Sequence, residues 1–266
     1  MKSKELEYIK PELMACCGAR EIKDRDVVIV GTGFPSIAAN ISRYIQAPNA
    51  ILMQESGVIN ARPKRVARSV GDPCLNPNAA MVGGLVEIMG MYLLGGWMDV
   101  GFLAGSQVDK YGNINTTVIG DYDNPTSRLP GSGGANPIAS LAKKVIITVL
   151  HNKRRFTEKF DFITSPGYLE GFESREEAGL PPNTGPQIII TNKAILKFDE
   201  KTKEAYVFSY HPGSTIEEIK ECTPWDLKIG KDVHETPPPT EEELHVLRTI
   251  VDPLRRTHEY LASGYV

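Results

Sequence analysis

A chain of 266 residues, 41% hydrophobic and 24% charged, has an ordinary globular composition and the length of one large domain or two small ones. Its formal net charge of −3 leaves no basic surplus for nucleic acid or an anionic membrane, and no apolar run approaches the ~18 residues that span a bilayer. The four cysteines form no CxxC pair, which argues against a zinc site, and the charged residues 1–7 do not resemble a secretory signal. We therefore expect reduced thiols in a cytoplasmic protein without a metal, a nucleic-acid partner or a membrane partner.

The first elements alternate between helix and strand. Residues 8–20 have helical apolar spacing, and the β-branched run 27–30 is typical of a buried parallel strand. A glycine-containing loop leads into a predicted helix over 37–44, and a second apolar run over 50–53 predicts the next strand. This α-β-α-β order indicates a parallel α/β sheet.

The second strand runs directly into Gln54-Glu55-Ser56-Gly57. The Ser-Gly turn places Glu55 at the carboxyl end of the strand, where ligands bind in open α/β sheets. A carboxylate buried there without a partner is costly, so it is either paired or used. Glu55 is therefore the leading catalytic candidate.

The same segment partly matches a dinucleotide-binding fingerprint. Gly31 and Gly33 follow a strand and precede a helix, and Glu55 lies about 20 residues further on, where an acidic residue would hold a ribose. Ser36 replaces the third glycine, and Phe34-Pro35 adds bulk where a pyrophosphate would approach the backbone. Nucleotide binding is retained as an alternative.

Two loops are open to both a structural and a functional interpretation. Residues 57–74 are polar and basic, with Arg68 near their end. They form either a solvated loop or a positively charged loop beside the candidate catalytic Glu55. The glycine-rich stretch 131–136 precedes a predicted helix over 137–142 and is either a flexible loop or a backbone cradle for an anion.

Further strands are predicted downstream. They cover residues 100–105, 145–150 and 160–164 and an antiparallel meander over 188–191, 194–198 and 205–210. Capped helices are predicted from Thr215 and Thr240, with a proline-rich linker between Trp225 and Pro239. The predicted fold is an open, mostly parallel α/β sheet with helices on both faces. It forms a single domain over 1–266 with a C-terminal helical extension over about 213–266.

Several segments in a fixed order resemble the β subunit of family I CoA-transferases, within it the glutaconate CoA-transferase type. These segments are VGTGFP at 30–35, ESG at 55–57, RSVGD at 68–72, QVDKYGNIN at 107–115, IGDY at 119–122, GSGGAN at 131–136, KRRF at 153–156, TSPG at 164–167, and the stretch from GPQ at 185 to LKFD at 199. The run 239–253 is also similar to the β subunits of steroid-ring-opening CoA hydrolases.

This resemblance implies the NagB/RpiA-like fold of CoA-transferases and an α-subunit partner. It implies that Glu55 is the catalytic glutamate, and that coenzyme A is a substrate with no permanently bound cofactor. The residues expected to bind substrate or supply the oxyanion hole are Gly133, Gly134, Ala135 and Asn136. Pro137 departs from the family pattern and removes one N–H. Further candidates for contacts with CoA or a carboxylate are Gly31, Gly33, Arg68 and Arg128.

The predicted function is transfer of CoA between an acyl-CoA and a carboxylic acid, such as the dicarboxylate glutaconate, through a glutamyl-CoA thioester. Retention of Glu55 favours transfer. One alternative is an acyl-CoA hydrolase or ring-opening enzyme in which Glu55 is a general base. The other is a non-enzymatic nucleotide-binding module built on Gly31 and Gly33.

Overall fold

The computed structural model of the chain describes residues 7–31 and 33–259. The strands are β1 (Val27–Val30), β2 (Ile51–Gln54), β3 (Val58–Ile59), β4 (Met81–Val82), β5 (Val100–Ala104), β6 (Gln107–Val108), β7 (Ile114–Asn115), β8 (Val118–Gly120), β9 (Pro125–Arg128), β10 (Lys144–Thr148), β11 (Pro186–Ile190), β12 (Ala194–Phe198), β13 (Ala205–Tyr210) and β14 (Lys228–Glu235). The α-helices are α1 (Lys10–Arg20), α2 (Phe34–Tyr44), α3 (Ala135–Leu141), α4 (Ser174–Glu177), α5 (Ile216–Glu221) and α6 (Glu241–Val246). A 3-10 helix covers Pro73–Leu75, and π-helices cover Val86–Leu93 and Leu247–Val251.

The first compact unit comprises residues 1–88 and 237–266. Strands β1 and β2 are parallel, and β3 and β4 continue the sheet in antiparallel pairing. Helix α1 packs against α2, and α2 packs against the C-terminal π-helix. The last helices of the chain therefore belong to the same unit as the first strands.

The second unit comprises residues 89–236. Strand β10 lies parallel between β5 and β11, and β11, β12 and β13 form the predicted antiparallel meander. Two small hairpins, β6/β7 and β8/β9, precede the loop that leads to α3. The predicted open α/β arrangement with an antiparallel meander is confirmed, whereas the prediction of one domain stays a prediction.

Two local predictions are wrong. Residues 160–164 form no strand, because Phe162 and Ile163 are exposed and only an isolated bridge between Ile114 and Ser165 remains. The expected linker between Trp225 and Pro239 contains β14, which pairs in parallel with β13. The predicted helical extension over 213–266 is therefore partly sheet. Because β14 is an edge strand with mostly exposed side chains, its sequence lacks the apolar alternation that marks a strand.

Candidate active site

Glu55 is the first residue after β2, and its position is fixed by strand pairing. In the parallel pair, Val30 lies opposite Gln54, so Gly31 and Glu55 both follow directly at the carboxyl edge. Both residues are half-buried. The sheet thus places a carboxylate and a glycine loop at the edge where open α/β sheets bind ligands.

The turn after Glu55 requires glycine at position 57. The Gly57 N–H donates to the Gln54 carbonyl at 3.0 Å, and its carbonyl accepts the Gly83 N–H at 2.9 Å. Gly57 has φ +111°, and a Cβ there would lie 2.2 Å from the Gly83 carbonyl oxygen. This close backbone approach fixes the path of the chain on both sides of the carboxylate.

Several polar groups around Glu55 make no hydrogen bond to the described part of the chain. Within the described residues, the Glu55 carboxylate makes no hydrogen bond or ion pair. The neighbouring Gln54 Oε1 and Ser56 Oγ are buried and also lack a partner. Such groups are normally satisfied in a folded protein, so these two atoms beside a carboxylate are available to a ligand or a partner.

The glycine loop after β1 does not have the form of a nucleotide cradle. Gly33 has φ +76° and is the N-cap of α2, and the buried Phe34 and Pro35 fill the helix's first turn. Pro35 has no N–H to offer a phosphate. A Cβ added at Gly31 would meet no atom within 4 Å, so no described residue packs against this glycine. Thr32 lies outside the described residues.

Asp72 organises the basic loop after Glu55. It forms a bidentate ion pair with Arg65, at 2.7 and 2.8 Å, and accepts the backbone N–H groups of Arg68 and Cys74. The Arg65 hydrogen bonds, aided by those backbone donors, hold the pKa of Asp72 well below its usual range. Arg65 is thus structural. The exposed Arg68 guanidinium contacts no described polar group and is available to an anion.

The glycine-rich loop of the second unit offers fewer donors than the sequence suggests. The Ala135 N–H donates to the Ser132 carbonyl at 2.9 Å, and the Asn136 N–H donates to the Ser132 hydroxyl at 3.1 Å. The N–H groups of Gly133, which has φ +49°, and Gly134 have no acceptor within 7–31 and 33–259. Of the predicted backbone donors, these two remain available.

Asn136 and Arg128 are both held by neighbouring groups. The Asn136 amide donates to the Thr164 carbonyl at 2.8 Å and so secures the start of α3. The Arg128 guanidinium donates to the Tyr122 carbonyl and lies 4.6 Å from the centre of its ring, which in turn stacks on Phe162. Arg128 is exposed, but it is not a free cation as Arg68 is.

The predicted site residues thus fall into two groups. Gly31, Gly33 and Glu55 lie at the carboxyl ends of β1 and β2 in the first unit, and Arg68 belongs to the basic loop of the same unit. Arg128 and the stretch 133–136 belong to the second unit.

Gln54, Ser56 and Asp72 have no role that is predicted from the sequence. No pattern could have identified them, because their significance depends on which hydrogen bonds are made. Among residues 7–31 and 33–259, no three His, Cys, Asp or Glu side chains are grouped to hold a metal ion. None of the described helices is both long and apolar enough to cross a membrane.

Comparison with known proteins identifies the family. The family model for coenzyme A transferase matches residues 12–222. The chain belongs to the coenzyme A transferase family. The B subunit of glutaconate CoA-transferase from Acidaminococcus fermentans is 42% identical over 253 residues, which cover 92% of this chain and 93% of that protein. The B subunit of 3-oxoadipate CoA-transferase from Pseudomonas knackmussii is 45% identical over 243 residues, 91% and 93% of the two chains.

Structural comparison agrees. The crystal structure of glutaconate coenzyme A-transferase from A. fermentans matches with a TM-score of 0.88 at 39% identity, covering 94% of this chain and 96% of that chain. The predicted CoA-transferase fold and enzyme class are therefore confirmed, and the non-enzymatic nucleotide-binding module is wrong. A cholesterol ring-cleaving hydrolase subunit of Mycobacterium tuberculosis is only 23% identical over 250 residues, 92% and 95% of the two chains, so hydrolysis is the weaker alternative.

Proposed function

We propose that this CoA-transferase chain acts as a β subunit and that Glu55 is the covalent nucleophile. The observation that carries the proposal is the half-buried carboxylate at the carboxyl end of β2, which has no partner within the described residues. A structural carboxylate in that position would be paired. One that must attack a carbonyl carbon needs to be free and held by a fixed turn.

The reaction begins with attack of a Glu55 carboxylate oxygen on the thioester carbonyl. The carbon–sulfur bond of the tetrahedral adduct then breaks, which releases CoA as a thiolate and leaves an acyl–glutamyl anhydride. The thiolate then attacks the side-chain carboxyl carbon of Glu55, which releases the donor acid as its carboxylate and forms a glutamyl-CoA thioester. An acceptor carboxylate enters, and the same steps in reverse yield the new acyl-CoA and free Glu55.

Each attack places negative charge on a carbonyl oxygen. The two backbone N–H groups without an acceptor, those of Gly133 and Gly134, are the proposed donors to such an oxyanion. One donor of this kind contributes about 3–4 kcal/mol to transition-state stabilisation.

We further propose that the acids are dicarboxylates and that the chain works with an α-type subunit. The two transferase relatives are named for glutaconate and 3-oxoadipate, which both carry two carboxylates, and each relative is a B subunit. The free Arg68 guanidinium is the candidate to pair with the second carboxylate. Arg128 remains a candidate for a CoA phosphate, at the expense of its contacts with Tyr122.

The deciding experiment is peptide mass analysis of the co-expressed αβ complex after incubation with glutaryl-CoA. We expect one CoA adduct on the peptide that contains Glu55, none in the Glu55→Gln variant, and an unchanged adduct in the control Glu235→Gln, whose carboxylate is exposed. Activity without any adduct on Glu55 would refute the covalent role.

The same samples separate transfer from hydrolysis. Without an acceptor acid, a transferase releases one equivalent of donor acid and then stops, because CoA stays on Glu55. Continuous release of free thiol would support the hydrolase alternative instead.

A further inference from the structure

An exposed apolar segment continues directly from the Glu55 turn. Its members, which we call the apolar edge, are Met81, Val82, Leu85 and Val86, and they are 40%, 61%, 60% and 72% exposed. The first two form β4, which ends the sheet order of the first unit. Several large apolar side chains exposed within one short segment are typical of a surface that a partner covers.

The segment carries almost no charge. Its one nearby ionisable group, Glu87, is occupied as acceptor of the Gly84 N–H at 2.8 Å. The chain contains no Lys or Arg between Arg68 and Lys110. A membrane-surface segment would be expected to combine apolar side chains with basic ones, so the composition favours a protein partner over a lipid surface.

The apolar edge is physically tied to the candidate nucleophile. Strand β4 pairs with β3, and the Gly83 N–H donates to the Gly57 carbonyl two residues after Glu55. The contact at Gly57 is too close for any side chain, so the turn and the edge have little freedom to move independently. A protein that covers the edge therefore also adjoins the Glu55 turn.

We propose that the apolar edge is the docking surface for the α-type subunit. This inference rests on the proposed function, since the partner is inferred from the two transferase relatives, which are both B subunits. It assigns that partner to a defined surface and gives a reason for the unsatisfied groups beside Glu55. The docked subunit closes the site around Gln54, Glu55 and Ser56.

The test uses calorimetry and size-exclusion chromatography to measure how tightly the purified chain holds a tagged α-type subunit. A Leu85→Glu/Val86→Glu variant is expected to weaken binding about 30-fold or more, because it places charge in a desolvated interface. The milder Val82→Thr change should weaken binding less. Leu254→Glu, at a position 61% exposed in the same unit, is the control and should bind as the wild type does.

Circular dichroism and the thermal midpoint of each variant check that the fold is retained, as expected for exposed positions. Binding of the double variant at wild-type affinity would overturn the proposal. So would a wild-type homodimer that the double variant abolishes, because the edge would then serve a second copy of the chain. The Glu55 adduct is scored separately on wild-type complex, so failure of the covalent mechanism is distinguishable from failure of the docking surface.

Discussion

At the residue scale, the unsatisfied polar atoms beside Glu55 carry a stability cost. Gln54 Oε1 and Ser56 Oγ are buried without a partner, and each such group costs about 1–3 kcal/mol. The isolated chain therefore bears this cost at the position where the proposed chemistry occurs. Hydrogen bonds that these two atoms make with a partner or a substrate would offset this cost in the complex.

Gln54→Met tests this trade-off. The near-isosteric apolar side chain removes the unpaired amide, so we expect the unfolding free energy of the isolated chain to rise by about 1 kcal/mol. The transfer rate of the αβ complex should fall, because a group that the closed site uses has been lost. Urea denaturation and steady-state kinetics measure the two effects. A variant with higher stability and full activity would show that the amide has no function.

Arg68→Ala tests substrate recognition. Loss of one charge-assisted contact should raise KM for a dicarboxylate acceptor about tenfold, equivalent to ~1.4 kcal/mol, and should leave KM for acetate unchanged. Arg62→Ala, an exposed arginine of the same loop, is the matched control. Equal effects of Arg68→Ala on both acceptors would contradict a role in binding the second carboxylate.

The buried carboxyl group of Asp109 should make the unfolding free energy depend on pH. Its carboxylate accepts the Tyr111 N–H and two N–H groups of Asn113, but burial outweighs these bonds and raises its pKa to about 6. Because the folded state holds this proton more tightly than the unfolded state, stability from Asp109 is full below pH ~4 and declines as pH rises through about 6.

Asp109→Asn removes this titration. It also loses one hydrogen bond to Asn113, but that loss is independent of pH. Between pH 5 and 7.5, the stability of the variant relative to the wild type should therefore rise by about 1 kcal/mol. Urea midpoints at the two pH values measure the change. A difference that stays constant with pH would show that Asp109 does not titrate in this range.

At the scale of elements, helix α1 secures the C-terminal segment of the first unit. Arg20 forms a bidentate pair with Glu243 at 2.7 and 2.6 Å and donates to the carbonyls of Pro237 and Pro238. Burial raises the pKa of Glu243, but the Arg20 bonds and charge outweigh it and hold the pKa below its usual value. This contribution to stability is therefore present above the unfolded pKa and is lost as pH falls.

Arg20→Ala should lower the unfolding free energy by about 3 kcal/mol, because it leaves the largely buried Glu243 carboxylate without its cation and with only the Thr240 N–H as a donor. Arg20→Lys keeps the charge but not the planar fork, so its effect should be intermediate. Lys143→Ala breaks a more exposed pair, with Asp99, and should cost less than about 1 kcal/mol. Equal losses for Arg20→Ala and Lys143→Ala would contradict this assignment.

The elements that sequence predicted well are those whose own residues determine them. The apolar runs of β1, β2 and β10 identified buried strands, and the hydroxyls of Thr215 and Thr240 correctly marked two helix starts. Strand β14 was not predicted, because its extended conformation depends on pairing with β13 and not on an apolar pattern of its own. The apolar run and the Ser-Gly turn also placed Glu55 at the end of its strand. They could not show which neighbouring polar groups lack a hydrogen-bond partner.

At the scale of the whole molecule, the candidate residues are distributed over two compact units. The first contains Glu55, Arg68 and the apolar edge, and the second contains the backbone donors at Gly133 and Gly134. In each unit a structural group secures the segment that carries the candidates: Asp72 holds the basic loop, and Asn136 holds the start of α3. The free groups are those to which a substrate or the proposed partner would bind.

This distribution predicts that the thermal stability of the chain depends on the concentration of its partner. A partner that binds only the folded state raises the unfolding free energy by RT ln(1 + [L]/Kd), about 2.7 kcal/mol at a hundredfold excess over Kd. Scanning calorimetry of the chain with increasing α-type subunit should therefore show a rising midpoint. Because the Leu85→Glu/Val86→Glu variant is expected to bind about 30-fold more weakly, its midpoint should rise much less over the same titration, whereas Leu254→Glu should follow the wild type. A wild-type midpoint that is independent of partner concentration would mean that the α-type subunit does not bind the folded chain.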